Sequence, residues 1–246
     1  MQAFLVLCLA YAGQINASDD CNEALASSIW TAAEQRLEDL FGVNVSRPPK
    51  FVIYPTSNDL PDKIGETVLG FYDSDAKEIS VACLDNDTSV FALNVRHEST
   101  HYYLDMAYGK VPDWLEEGLA AYMEEGSLND SVPRDHLNKA RLDEFIYLLR
   151  KAKVPPLTSI FSGRGFAKAS QYYSASWALV FSLLHHDDPD IQKKRRSQVQ
   201  RLLQIIKAGE NNPEVINQEF IAFVLEEGNN LPNWQIKWHR QMWALK

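Results

Sequence analysis

The segment HESTH places His97 and His101 four residues apart, with Glu98 directly after the first. On an α-helix, positions i and i+4 lie only about 40° apart around the axis and one turn apart along it. Two imidazoles can therefore reach one zinc ion, and Glu98 reaches the side of the same site without being a ligand. That is the arrangement required when zinc polarises a water and a carboxylate accepts its proton. Ser99 and Thr100 carry no charge, and Val95, Tyr102, Tyr103 and Leu104 are apolar or amphipathic. The helix is expected to be largely buried, with the metal in a cleft.

Catalytic zinc takes three protein ligands and keeps a fourth position open. The third is sought in PDWLEEGLAAY, residues 112–122. Asp113 can cap a helix there, and Glu116 three residues on completes a capping-box pattern. Glu117 is then the best third ligand, with Glu116 the alternative in a capping or solvated role. Leu115, Leu119 and Tyr122 form an apolar stripe with Trp114 at its mouth. Glu117 shares its side with Ala120, Ala121 and Glu124, and small residues there suit close packing on the histidine helix. The connection AYGKVP, with Gly109 ending one helix and Pro112 preparing the next, is a tight reversal that brings Glu117 back to the histidines.

These side chains need a scaffold, and the rest of the chain supplies an α+β one. Residues 19–41 read as a helix capped by Asp19 or Asp20 and stopped at Gly42. FVIYP is a short strand; VLGFYD and EISVACL are two more, antiparallel across the turn-like SDAKE. From about Thr88 the pattern is helical, over roughly 89–108, 113–125, 135–152, 169–186, 191–208, 214–226 and 232–244. The fold class is a small N-terminal mixed or antiparallel sheet followed by a mainly helical C-terminal body. One domain covers residues 18–246, with an α/β part to about residue 110 and a helical part from 111.

Bulk properties narrow the partners. The chain has 246 residues and a net charge of −9, which argues against nucleic acid as the main partner. The one basic run, Lys193 to Arg196, is short and reads as a solvated helix start or loop. Residues 3–12 are nearly all apolar and no charge occurs before Asp19; with small residues at Ala10 and Ala12 or at Ala17, residues 1–17 read as a secretory signal, which implies a secreted or periplasmic protein. No second hydrophobic span follows, so no stable membrane span is expected. Cys21 and Cys83 then remain, as one disulfide or as two buried thiols.

On HESTH and WLEEGLAAY, the sequence resembles the gluzincin zinc metallopeptidases, the thermolysin-like zincins, and especially their small members with HExxH followed by a Trp-Leu-x-Glu-Gly helix. The resemblance implies a zincin-like fold, Zn2+ held by His97, His101 and Glu117, Glu98 as general base, and a peptide or protein substrate. It also makes Glu78–Leu84, or the neighbouring Gly70–Asp73, the edge along which a peptide lies. Relatives often carry an acidic residue four positions after the third ligand to orient a zinc-bound histidine; Ala121 stands there, and Asp105 is a possible substitute. Tyr173, four residues before Trp177, is the candidate donor to the oxyanion, against a plain core role for both aromatics. His185 and His186 read as helix-end or surface residues, and His239 as packing among tryptophans. The competing reading is a zinc-containing secreted domain that binds peptides or proteins without hydrolysing them.

Overall fold

A computed structural model of the chain describes residues 21–60, 69–125, 137–210, 212–226 and 230–246. The first helix, α1 (Glu23–Phe41), buries Ala26, Ile29, Trp30, Ala33, Leu37 and Phe41, a stripe at three- and four-residue spacing. Its cap is Asn22, whose side chain accepts the Leu25 N–H at 2.9 Å; the expected caps Asp19 and Asp20 lie outside the described residues. Gly42 closes it in a left-handed conformation, φ +74°, donating to the Glu38 carbonyl.

Three strands follow: β1 (Lys50–Tyr54), β2 (Gly70–Asp73) and β3 (Glu78–Ala82). Their spatial order is β1-β3-β2, with β1 parallel and β2 antiparallel to β3. The sheet is mixed. β3 is its central strand, with both sides occupied, so Glu78–Leu84 offers no free edge and β2 alone keeps the expected position. A disulfide between Cys21 and Cys83, with Cα atoms 5.9 Å apart, ties the start of α1 to the end of β3.

The helical body comprises α2 (Thr88–Tyr108), α3 (Asp113–Met123), α4 (Lys139–Arg150), α5 (Leu157–Phe161), α6 (Ala169–Leu184), α7 (Pro189–Lys207), α8 (Pro213–Glu226) and α9 (Leu231–Ala244). α2 starts at Asp87, whose carboxylate accepts the Ser89 and Val90 N–H groups. It is buried on several faces, and the Tyr102 and Tyr103 hydroxyls anchor it by donating to the Arg47 and Val43 carbonyls at 2.6 and 2.5 Å. Gly109, at φ +87°, ends it and donates to Leu104 and Asp105. The reversal reads as expected, but Pro112 rather than Asp113 occupies the α3 cap, and no side-chain cap bond forms.

α6 is the buried centre of the body. It meets α3 where Gly118 lies so close that a Cβ there would stand 2.7 Å from the Ser176 carbonyl oxygen. The small residue thus serves the contact with α6. Trp114, beside the apolar stripe of α3, is fully buried between Phe161 and Phe220, donating to Asn217 at 2.8 Å. The five-residue α5 supplies Phe161; too short to show a period, it was not expected. Among the described residues, no helix is long and apolar enough to cross a membrane.

Candidate metal centre

The helix pair α2–α3 brings His97, His101 and Glu117 together, with one ligand atom from each lying within 4.8 Å of the others. Glu117 Oε2 is 3.5 Å from His97 Nε2 and 3.9 Å from His101 Nε2. Each imidazole is held from behind: His97 Nδ1 meets Glu124 Oε1 at 3.0 Å, and His101 Nδ1 meets Glu116 Oε1 at 3.0 Å. A carboxylate accepts hydrogen bonds and donates none when ionised, so each Nδ1 carries the proton and each Nε2 lone pair is left facing Glu117.

This donor set fits a metal ion. Glu117 Oε2 is buried and has no hydrogen-bond partner. A buried carboxylate oxygen without a partner costs free energy, and three electron-rich atoms pointing at one another repel. A cation between them removes both penalties. A proton competes for the same position: burial lowers the His97 pKa, but the Glu117 and Glu124 carboxylates outweigh it and raise it to about 10. Burial likewise lowers His101 while Glu116 raises it, and the balance is upward. For Glu117 burial acts to raise the pKa, and His97, His101 and Arg141 bring it below the ordinary carboxylate range.

Glu124 is the residue sequence reasoning missed. It is 3% exposed and accepts Asn138 Nδ2 at 2.8 Å and Arg141 Nε at 3.0 Å on Oε2, with Arg141 Nη2 on Oε1. Its backbone carbonyl accepts both Nε and Nη2 of Arg96. Seven residues after Glu117, it lies almost two full turns on, on the same side of α3. That spacing was the available signal. Asp105 does not support a ligand: it takes the Tyr72 hydroxyl and the Lys77 ammonium. Glu116 likewise leaves the expected capping role for His101.

Glu98 is buried beneath β2, where Gly70 makes room for it: a Cβ on Gly70 would sit 3.1 Å from Glu98 Cγ. Burial raises its pKa; the His97 and His101 charges oppose this, Glu117 adds to it, and the Tyr72 backbone bond opposes it. Tyr173 on α6 places its ring 6.1 Å from that of His97. Burial, Glu117 and Glu98 push its hydroxyl up to about 12, so it stays a donor at neutral pH. Trp177 on the same helix is core.

The other described histidines stand apart. His185 ends α6, stacked on Phe181 at 4.4 Å and 2.9 Å from the Tyr122 hydroxyl. His186 Nδ1 accepts the Asp188 N–H, and His239 packs on Trp238 and Phe145. Lys193 and Lys194 are exposed, whereas Arg195 and Arg196 turn inward to the Ser182 and Leu184 carbonyls, so the basic run is no patch.

Together His97, Glu98, His101 and Glu117 match the HExxH-plus-distal-glutamate geometry of gluzincin metallopeptidases, an arrangement suited to hydrolysis by a metal-activated water. A family described as "Protein of unknown function (DUF1570)" matches residues 92–202, from α2 into α7. That stretch holds every residue of the centre named above. No curated protein matches the chain.

Proposed function

We propose that the chain is a zinc-dependent peptide hydrolase of the gluzincin type. The carrying observation is the buried, unpartnered Glu117 Oε2 facing two Nε2 atoms whose opposite ring nitrogens are both occupied. Two imidazoles and one carboxylate form a donor set that suits zinc and leaves a position open. When bound, zinc lowers the pKa of a water and polarises a peptide carbonyl.

The chain's own groups do the rest. Glu98 accepts the proton of the attacking water and delivers it to the leaving amine nitrogen; burial, which favours its protonated form, makes it the stronger base. Tyr173 donates its hydroxyl proton in a hydrogen bond to the carbonyl oxygen as charge develops there. Among the described residues β2 is an edge strand that packs on Glu98, and the backbone groups it leaves unpaired on that edge can bond to an extended peptide and align the scissile bond. A peptide or protein is the substrate class that such an edge accepts.

The Cys21–Cys83 pair supports an oxidising compartment, in keeping with the signal-like segment at residues 1–17, which lies outside the described residues. The non-hydrolytic alternative would gain support if Ala121 left a zinc-binding histidine unsupported. Glu124 now fills the role that Ala121 leaves open, so no specific observation favours that alternative.

Glu98→Gln tests the proposal. The variant should retain one zinc per chain and lose peptidase activity by about 10²-fold or more. Undiminished cleavage by Glu98→Gln rejects the base assignment, and wild-type protein that carries zinc but cleaves nothing in a broad peptide library rejects the hydrolase.

A further inference from the structure

α4 contributes no metal ligand, yet it grips the centre at two points. Arg141 forks onto Glu124, Nε to Oε2 and Nη2 to Oε1, and Glu124 in turn holds His97 Nδ1 at 3.0 Å. The Arg141 guanidinium carbon also lies 5.7 Å from the centre of the Tyr173 ring. One turn along α4, Glu144 accepts the hydroxyls of Ser170 and Ser174 at 3.0 and 3.2 Å. Those serines bracket Tyr173 on α6. A single helix thus reaches a metal ligand through one side chain and the neighbourhood of the candidate donor through another.

We propose that Arg141 is the positioning residue of this centre, acting through Glu124 to set the His97 ring and through its charge over the Tyr173 ring to set Tyr173. A two-point fork fixes carboxylate orientation as well as charge, which a single donor does not. Asn138 touches one Glu124 oxygen only, the one turned away from His97. Without Arg141 the carboxylate loses two hydrogen bonds and is free to turn, and His97 loses the partner that keeps its Nε2 lone pair on the metal. The inference about metal affinity rests on the zinc part of the proposed function, not on hydrolysis.

The test is a double-mutant cycle on zinc affinity, read by competition with a chromophoric chelator at fixed pH. It uses Arg141→Met, Glu124→Gln and the double variant. Each single change should weaken zinc about tenfold or more, and the double should be little weaker than Glu124→Gln alone, because Arg141 acts through Glu124. Arg141→Lys should recover part of the loss, and the visible spectrum of cobalt-substituted Arg141→Met should shift as the His97 geometry relaxes. Fully additive losses overturn the proposal. So does an Arg141→Met protein with wild-type zinc affinity and only a lower melting temperature, which would make the residue merely structural. Wild-type protein that binds zinc but cleaves no peptide would sink the hydrolase while leaving these affinity ratios to be judged on their own.

Discussion

In Gly118→Ala two effects of comparable size oppose each other. Alanine favours the helix over glycine by ~1 kcal/mol, so on propensity alone α3 is stabilised. Against this, the new Cβ would stand 2.5 Å from Val180 Cγ2 and 2.7 Å from the Ser176 carbonyl oxygen. Neither neighbour gives way easily: valine has one favoured rotamer on a helix, and the second contact is backbone. To restore an ordinary separation of 3.4 Å, α6 must retreat by about 0.7 Å at the carbonyl and about 0.9 Å at the valine methyl. Overpacking of this kind costs ~1–3 kcal/mol, and a backbone obstacle puts it at the upper end. The net loss is then ~2 kcal/mol, or about 4–8 °C in melting temperature for a chain of this length. Because Glu117 is the adjacent residue and Tyr173 rides on α6, zinc affinity should fall with stability. Thermal melts of the metal-free and zinc-loaded variant measure both. A Gly118→Ala protein as stable as wild type, or more so, would refute the close α3–α6 contact as the determinant.

Replacing Cys21 and Cys83 together by serine should lower stability by about 4 kcal/mol on the chain-entropy estimate for a bridge spanning 62 residues, seen as a lower urea midpoint; equal midpoints count against the pairing. Burial lowers the His239 pKa to about 4, against about 6.5 in an unfolded chain. Between those values the unfolded chain takes up a proton that the folded one refuses, so stability should fall as pH drops from about 6.5 to 4. The contribution is ~1 kcal/mol after allowing for partial exposure, and a His239→Gln protein should show a flatter dependence over that window. Stripping zinc with a chelator should lower the melting temperature and returning it should restore the loss. At one hundred times the dissociation constant the stabilisation is ~2.7 kcal/mol, and a midpoint independent of zinc concentration would argue against a native-state site.

What could be read from the sequence was whatever local geometry decides. HESTH carries its meaning within one turn of α2, and AYGKVP is too short to send α3 anywhere but back along α2, so His97, Glu98, His101 and Glu117 converge as their spacing implies. The antiparallel pairing of β2 with β3 was equally local. The parallel pairing of β1 with β3 was not, because nothing in FVIYP names its neighbour. Arg141 lies beyond residues 126–136 on another helix, and no period links it to Glu124. The cover over Trp114 is non-local for the same reason: the stripe of α3 identifies an apolar face, whereas its cover, α5 and α8, comes from far along the chain.

Glu116 shows how a correct local rule loses to a tertiary demand. Asp-x-x-Glu is a sound capping pattern, and an exposed cap contributes ~1 kcal/mol. Water can satisfy the free N–H groups at an exposed helix start. It cannot so easily reach His101 Nδ1, whose side chain is 12% exposed and which costs ~1–3 kcal/mol if left unpaired. The carboxylate therefore serves the imidazole and leaves the helix start to Pro112, a residue with no side-chain acceptor to offer. Glu124 follows the same logic: the gluzincin resemblance puts the supporting acid one turn after the third ligand, but any acidic residue on that side of α3 meets the requirement, and this chain uses the one nearly two turns on. The constraint falls on the imidazole nitrogen that must be held, and the helix position that holds it is free to vary.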